Sequence, residues 1–136
     1  MPELPEIETF RRILQDGTPE NPSLLGKRIQ EARLLWERTL AEPIPKVFQL
    51  RLVGQTIRSF GRRAKYLLIE LDDDTLIIHL RMSGDLRVEL DSNPIAPHDR
   101  FLLVFEDGFR LAFNDTRKFG RIWLLDEPAA LLGKLG

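Results

Sequence analysis

Tyr66-Leu67-Leu68-Ile69-Glu70-Leu71 and Thr75-Leu76-Ile77-Ile78-His79-Leu80 are two short apolar runs on either side of the triplet Asp72-Asp73-Asp74. Runs this short, bounded by turn residues, read as β-strands joined by a turn. The same punctuation continues outward in both directions. Residues 56–60 form a strand closed by Gly61, and residues 86–90 follow a break at Ser83-Gly84. Residues 101–105 and 109–113 pair across the Asp107-Gly108 hairpin signal, after a Pro-containing loop at residues 93–99, and residues 121–125 are a last strand. On the N-terminal side, residues 27–36 read as a strand and residues 15–26, rich in Asp, Gly, Pro, Asn and Ser, as a surface loop. A short helix is predicted from Pro45 to Leu52, ending at Gly54, with Val47, Phe48, Leu50 and Leu52 available for burial. A first helix starts at Pro5 and lines one face with Ile7, Phe10 and Leu14. Closely spaced strands with turn signals, plus two helices, predict an α+β domain built on an antiparallel sandwich or barrel.

Composition narrows the class. The chain has 136 residues, 43% of them hydrophobic, enough for one globular core. No apolar run is long enough to span a bilayer, and the N-terminus is acidic where a secretory signal is basic, so a cytoplasmic protein with no membrane partner is expected. No cysteine occurs, which excludes disulfides, cysteine nucleophiles and thiolate zinc sites in this sequence, and two histidines make a metal centre a poor expectation. The formal charge is −1, and neither side of Ile57 is basic: 8 Lys/Arg face 8 Asp/Glu before it, 12 face 13 after it. Bulk charge therefore argues mildly against nucleic acid, but a local patch suffices to neutralise phosphates. The cations gather at Arg58, Arg62, Arg63 and Lys65, at Arg81 and Arg87, and at Arg117, Lys118 and Arg121, while acidic compensation such as Asp72-Asp73-Asp74 sits elsewhere.

The chain opens Met1-Pro2-Glu3-Leu4-Pro5-Glu6-Ile7-Glu8. With Met1 removed, Pro2 presents a secondary amine, and α-amino groups titrate at about 7.7–8.0, so a useful fraction is neutral near physiological pH. Its attack on an aldehyde-like carbon gives an iminium that keeps its charge and acts as an electron sink. Glu3, held beside it by the chain, can shuttle protons. The structural alternative is a plain helix start, with Pro5 in the first turn and Glu6 and Glu8 at its positive end. Taken alone, the opening favours that alternative.

Its weight changes when five stretches are taken together: PELPEIE at 2–8, RRAKYLLIEL at 62–71, HLRMSGDLR at 79–87, PHDRFLLVFEDG at 97–108 and NDTRKFGRIWLL at 114–125. In this order and spacing the chain resembles the N-terminal domain of the formamidopyrimidine-DNA glycosylases, within the wider family that includes endonuclease VIII. The resemblance implies an antiparallel β-sandwich with two flanking helices over residues 1–125. It implies a base-excision-repair DNA glycosylase and abasic-site lyase that removes oxidised purines such as 8-oxoguanine and formamidopyrimidines. The partner is double-stranded DNA carrying oxidised bases or abasic sites, met by a monomer. An endonuclease VIII-like enzyme for oxidised pyrimidines and a binding-only recognition homologue are the alternatives.

By the same resemblance Pro2 is the nucleophile, Glu3 assists it, and Lys65 sits on a hairpin near the reacting sugar and its phosphates. Met82, Arg117 and Phe119 match the residues inserted where a base has left the stack. Lys118, His79 and His98 match positions near the DNA backbone. For His79, in an apolar run, a hydrogen bond to a neighbouring strand is an equal alternative. Ala64 and Arg81 stand where the resemblance expects glycine, Thr116 where it expects proline and Lys118 where it expects arginine. Arg81 either adds a phosphate contact or crowds the void beside the flipped base. Residues 126–136 read as the start of a linker to a half that is absent here, comprising a helix-two-turns-helix module and a zinc finger. No cofactor is expected in this chain, zinc belonging to that other half. With part of the DNA clamp missing, the chain alone is expected to bind weakly and turn over slowly.

Overall fold

Alternate residues along the strands build the core, as the two-residue period of a pleated strand requires. In a computed structural model, which describes residues 3–81, 84–117 and 120–126 with side chains from Ile7 onward, the elements follow this order. Helix α1 (Glu3–Asp16) leads to β1 (Ile29–Leu34), a 3₁₀ turn (Glu37–Thr39), β2 (Leu40–Glu42) and α2 (Pro45–Leu52). Then come β3 (Ser59–Arg63), β4 (Tyr66–Glu70), β5 (Thr75–His79), β6 (Gly84–Leu90), β7 (Asp99–Phe105), β8 (Phe109–Asp115) and β9 (Arg121–Leu125). One sheet has the order β1-β7-β8-β6 and the other β2-β9-β5-β4-β3. Leu67, Ile69, Leu76, Ile78, Ile122 and Leu124 of the second sheet meet Leu86, Val88, Phe101, Leu103, Phe105, Leu111 and Phe113 of the first in one buried cluster. This is a sandwich with two flanking helices, as expected. No helix among the described residues is long and apolar enough to cross a membrane.

The helices seal the edges of the sandwich. Ile7 and Leu14 of α1 are buried in the core with Phe10 packed beside them, and α1 lies on β3 and β4. Helix α2 starts on Pro45, whose missing N–H costs nothing at a first helical position, and Gly54 follows its end at φ 90°. Phe48 and Leu52, four residues apart, face inward, and the Phe48 ring lies 5.4 Å from that of Phe101, an aromatic contact of about 1 kcal/mol. Val47 and Leu50, expected to be buried, are 37% and 68% exposed, because one turn of period 3.6 cannot also point them at the core.

Three further expectations change. The strand placed at residues 56–60 lies at β3, and Gly61 is inside it, opposite Leu68, instead of closing it. The turn falls at Ala64-Lys65, and Thr56 is held by the Asp72 carboxylate. Strand β2, parallel to β9, was not anticipated. The aspartate triplet is not remote from the basic residues: Asp72 pairs with Arg58 at 2.6 Å, and Asp74 pairs with Arg51. Arg87 is likewise engaged, by Glu89 at 2.8 Å and Asp99 at 2.9 Å.

Candidate nucleic-acid interface

At one end of the sandwich the five-stranded sheet finishes in a cross-strand row, Arg63 beside Tyr66, Tyr66 beside His79 and His79 beside Arg121. The Tyr66 ring contacts the His79 ring edge-on at 4.6 Å and the Trp123 ring at 5.8 Å. Two chain crossovers leave this row for the other sheet, residues 80–83 and 116–120, and both arrive where Gly84 pairs with Asp115. Each crossover requires a glycine at one end, Gly84 where the first arrives and Gly120 beside Arg121. A Cβ on Gly84 would stand 2.5 Å from the Leu80 carbonyl oxygen, which accepts the Gly84 N–H at 2.9 Å. A Cβ on Gly120 would fall on the Phe113 ring, 3.0 Å from Asp115 Oδ2 and 3.1 Å from the His79 carbonyl oxygen.

Helix α1 runs antiparallel to β3. Its last turn is bound to Leu24 (Leu24 N–H to Leu14 O, 2.9 Å), and Gly26 bonds Ile57 just before β3. Glu8, nearer the helix start, meets Arg62 near the end of β3 at 3.3 Å. The N-terminal end of α1, at Glu3, is thereby directed toward the turn that carries Lys65. A hydrogen bond from Arg11, against partial burial and with help from Arg12, lowers the Glu8 carboxyl to about 2. Arg62 also donates to the Ala64 carbonyl oxygen at 3.2 Å, bracing the turn. Ala64 has φ 52° and Arg81 φ 58°, the two described non-glycine residues in the left-handed region, and both are positions where glycine was expected.

The four-stranded sheet supplies a second edge. Asp115, 1% exposed, accepts the Gly120 N–H on Oδ2 at 2.6 Å, donates its own N–H to the His98 carbonyl oxygen at 3.0 Å, and accepts Arg100 Nε on its carbonyl oxygen at 2.9 Å. Behind it, Asp99 takes Arg87, Asn114 and the Ala96 N–H, at 2.9, 2.8 and 2.9 Å. Burial alone would raise the Asp99 carboxyl; the hydrogen bonds from Arg87 and Asn114 hold it below its ordinary value. Arg110, 1% exposed, continues the network through Glu89 at 2.5 Å and the carbonyl oxygens of Asp91 and Pro94 at 3.1 and 3.2 Å. These bonds fix the loop that ends at His98. Arg110, Asp99 and Asp115 were not singled out from the sequence, although three polar residues in a strand-rich stretch were the available signal.

Lys65 and Arg117 are exposed in turns at the same end of the sandwich, His98 is exposed beside Arg100, and His79 is buried at the end of β5. Glu3 is the first residue of α1. Pro2, Met82, Lys118 and Phe119 lie outside the described residues. Arg63 and Arg81 are exposed at this end and pair with no carboxylate among the described residues, whereas Arg58, Arg62, Arg87 and Arg110 each have one. Among the described residues, no group of three His, Asp or Glu is placed to hold a metal ion.

Comparison with known proteins agrees with this arrangement. The profile described as "Formamidopyrimidine-DNA glycosylase N-terminal domain" matches residues 1–122. A Protochlamydia amoebophila protein named formamidopyrimidine-DNA glycosylase is 40% identical over 137 residues, covering 100% of this chain and 48% of that protein. The Lactococcus lactis protein Fpg (MutM) in complex with FAPY-dG-containing DNA superposes with TM-score 0.85 at 33% identity, covering 97% of this chain and 47% of that one. The same protein with DNA containing an oxidised pyrimidine gives 0.86 at 34%, covering 98% and 48%. The chain spans about half the length of the curated relatives it matches.

Proposed function

This chain belongs to the formamidopyrimidine-DNA glycosylase N-terminal domain family, and on that premise we propose that it carries the catalytic residues of a DNA glycosylase and abasic-site lyase for oxidised purines. In this reading the Pro2 nitrogen, freed by removal of Met1, attacks C1′ of the damaged nucleoside. The N-glycosidic bond breaks and its electron pair leaves with the base; the C1′–O4′ bond then opens as the nitrogen lone pair forms the iminium and O4′ takes up a proton, with Glu3 and Lys65 handling the protons. The resulting iminium acidifies the neighbouring sugar hydrogens, so β- and then δ-elimination cut the strand. This chemistry calls on no cofactor from residues 1–125, the proposed catalytic domain. His98, Arg117 and Lys118 serve as phosphate and base contacts, with His79 supporting them from the strand end. Met82 and Phe119 fill the vacancy left by the flipped nucleotide. A cytoplasmic, nucleoid-associated location follows from that substrate.

The observation that supports the reading best is directional: α1 delivers its N-terminal end toward the Lys65 turn, the arrangement a terminal-amine nucleophile needs. The oxidised-pyrimidine DNA in the Lactococcus lactis complex favours a second substrate class for the same site. Borohydride trapping on duplexes bearing 8-oxoguanine, an oxidised pyrimidine or an abasic site tests both. A covalent adduct at Pro2, located by mass spectrometry, is expected with the abasic duplex. An adduct at any other residue, or an adduct that persists in Pro2→Gly with an added N-terminal extension, would sink the proposal.

A further inference from the structure

We propose that Arg81 is a phosphate-binding residue, maintained in a strained backbone conformation because the tight crossover leaves it there and the DNA, not the fold, uses its charge. This inference rests on the nucleic-acid reading above and adds a contact residue to it. The strain has a local cause. Residues 80–84 close on themselves through the Gly84 N–H to Leu80 carbonyl bond of 2.9 Å, and Arg81 turns the chain at φ 58°. The left-handed region penalises every residue with a Cβ, and Asn, Asp and His are the ones whose short polar side chains offset the penalty locally. Arginine offers no such offset.

Packing does not repay the strain either. Arg81 is exposed, whereas Leu80 before it is buried at 3%. Nor does an internal ion pair repay it: among the described residues no carboxylate meets Arg81, while Arg58, Arg62, Arg87 and Arg110 are each bonded to one. An exposed cation in an unfavourable backbone conformation gains its use outside the fold, and strain of this kind gathers at ligand-binding segments. Its place agrees. Arg81 is the second residue of the crossover that follows His79, which stands in the row shared with Arg63, Tyr66 and Arg121, and the neighbouring crossover carries Arg117.

The test separates charge from strain. Affinity of the 136-residue chain for a short duplex containing a tetrahydrofuran abasic analogue is measured from low to moderate salt, alongside urea unfolding, for the parent, Arg81→Asn and Arg81→Lys. Loss of one phosphate contact lowers the slope of log K against log salt by about 0.9. Arg81→Asn is expected to show that lower slope while its unfolding midpoint rises, because asparagine tolerates the turn better. Arg81→Lys is expected to keep the parental slope. An unchanged slope in Arg81→Asn, a lowered midpoint with the lowered slope, or a lowered slope in Arg81→Lys each overturns the assignment while leaving the nucleic-acid reading intact. Absence of salt-dependent binding by the parent chain overturns both.

Discussion

Replacing Arg110 by Met keeps the side chain's bulk and removes its charge from a site where it is 1% exposed. Two of its bonds go to Glu89 Oε2, at 2.8 and 2.5 Å, and two to the carbonyl oxygens of Asp91 and Pro94, at 3.1 and 3.2 Å. Glu89 does not become an orphan, because Arg87 still reaches it at 2.8 and 3.1 Å. The cost is therefore below the full penalty for an isolated buried charge. The two bonds converge on one Glu89 oxygen and together count as one charged hydrogen bond of about 2 kcal/mol, and two carbonyls that can partly rehydrate as the loop relaxes cost about 0.5 kcal/mol each. The sum is about 3 kcal/mol, or a fall of about 10 °C in melting temperature for a domain of this size. Urea unfolding of Arg110→Met, Glu89→Gln and the double variant measures both the loss and the coupling, expected at about 1–2 kcal/mol. Amide exchange should also quicken at Asn93 and Asp99, whose N–H groups close the loop onto Leu90 and Ala96. A loss under about 1 kcal/mol would refute the reasoning, since buried ion pairs are in some proteins replaced by apolar side chains at no cost.

Other perturbations probe the site more directly. Gly120→Ala forces a Cβ onto the Phe113 ring and within 3.1 Å of the His79 carbonyl, so a loss of about 2 kcal/mol in urea unfolding is expected; a parental midpoint would mean the crossover yields freely. Ala64→Gly removes a left-handed penalty of about 1–2 kcal/mol at φ 52° and adds about 0.5–1 kcal/mol of unfolded-chain entropy, so a net gain of about 0.5–1 kcal/mol is expected on thermal unfolding, and a loss would contradict the turn geometry. Glu8 is lowered to about 2, so its contribution is complete above the unfolded value near 4.5 and disappears as pH falls toward 2. Titration of its carboxyl followed by NMR should centre near 2, and Glu8→Gln should flatten the acid side of the stability profile; a carboxyl midpoint near 4.5 would show that the Arg11 bond does not persist in solution.

Local signals carried far along this chain where structure is local. Pro45 and Gly54 bracket α2 because each answers a backbone demand at a helix end, and Asp107-Gly108 marks its hairpin because Gly108 adopts φ 92°. Gly61 misled for the converse reason. It occupies a strand interior, while the real turn uses Ala64 and Lys65, which carry no turn signature. Strand β2 is three residues long and exists only because β9 lies alongside it, a pairing some eighty residues distant in sequence that no short window contains. The burial of Arg110 is likewise non-local: the loop through Asp91 and Pro94, about twenty residues earlier in the chain, covers it. For the candidate site, residue identities were readable from motif order. The direction of α1 against β3, and the role of Asp115 in joining His98, Arg100 and Gly120, depend on contacts between motifs.

The two crossovers hang from common supports. Both depart from the His79–Arg121 pair and land at the Gly84–Asp115 pair, so each end of one span is hydrogen-bonded to the corresponding end of the other. One span cannot lengthen or slide without dragging its neighbour's footing along. A slip of one residue in either strand pairing would break step at both landings at once, whereas a change of side chain away from Gly84 and Gly120 leaves the footings untouched. The free variable at this end of the molecule is therefore side-chain chemistry at positions other than these two glycines, and not strand register.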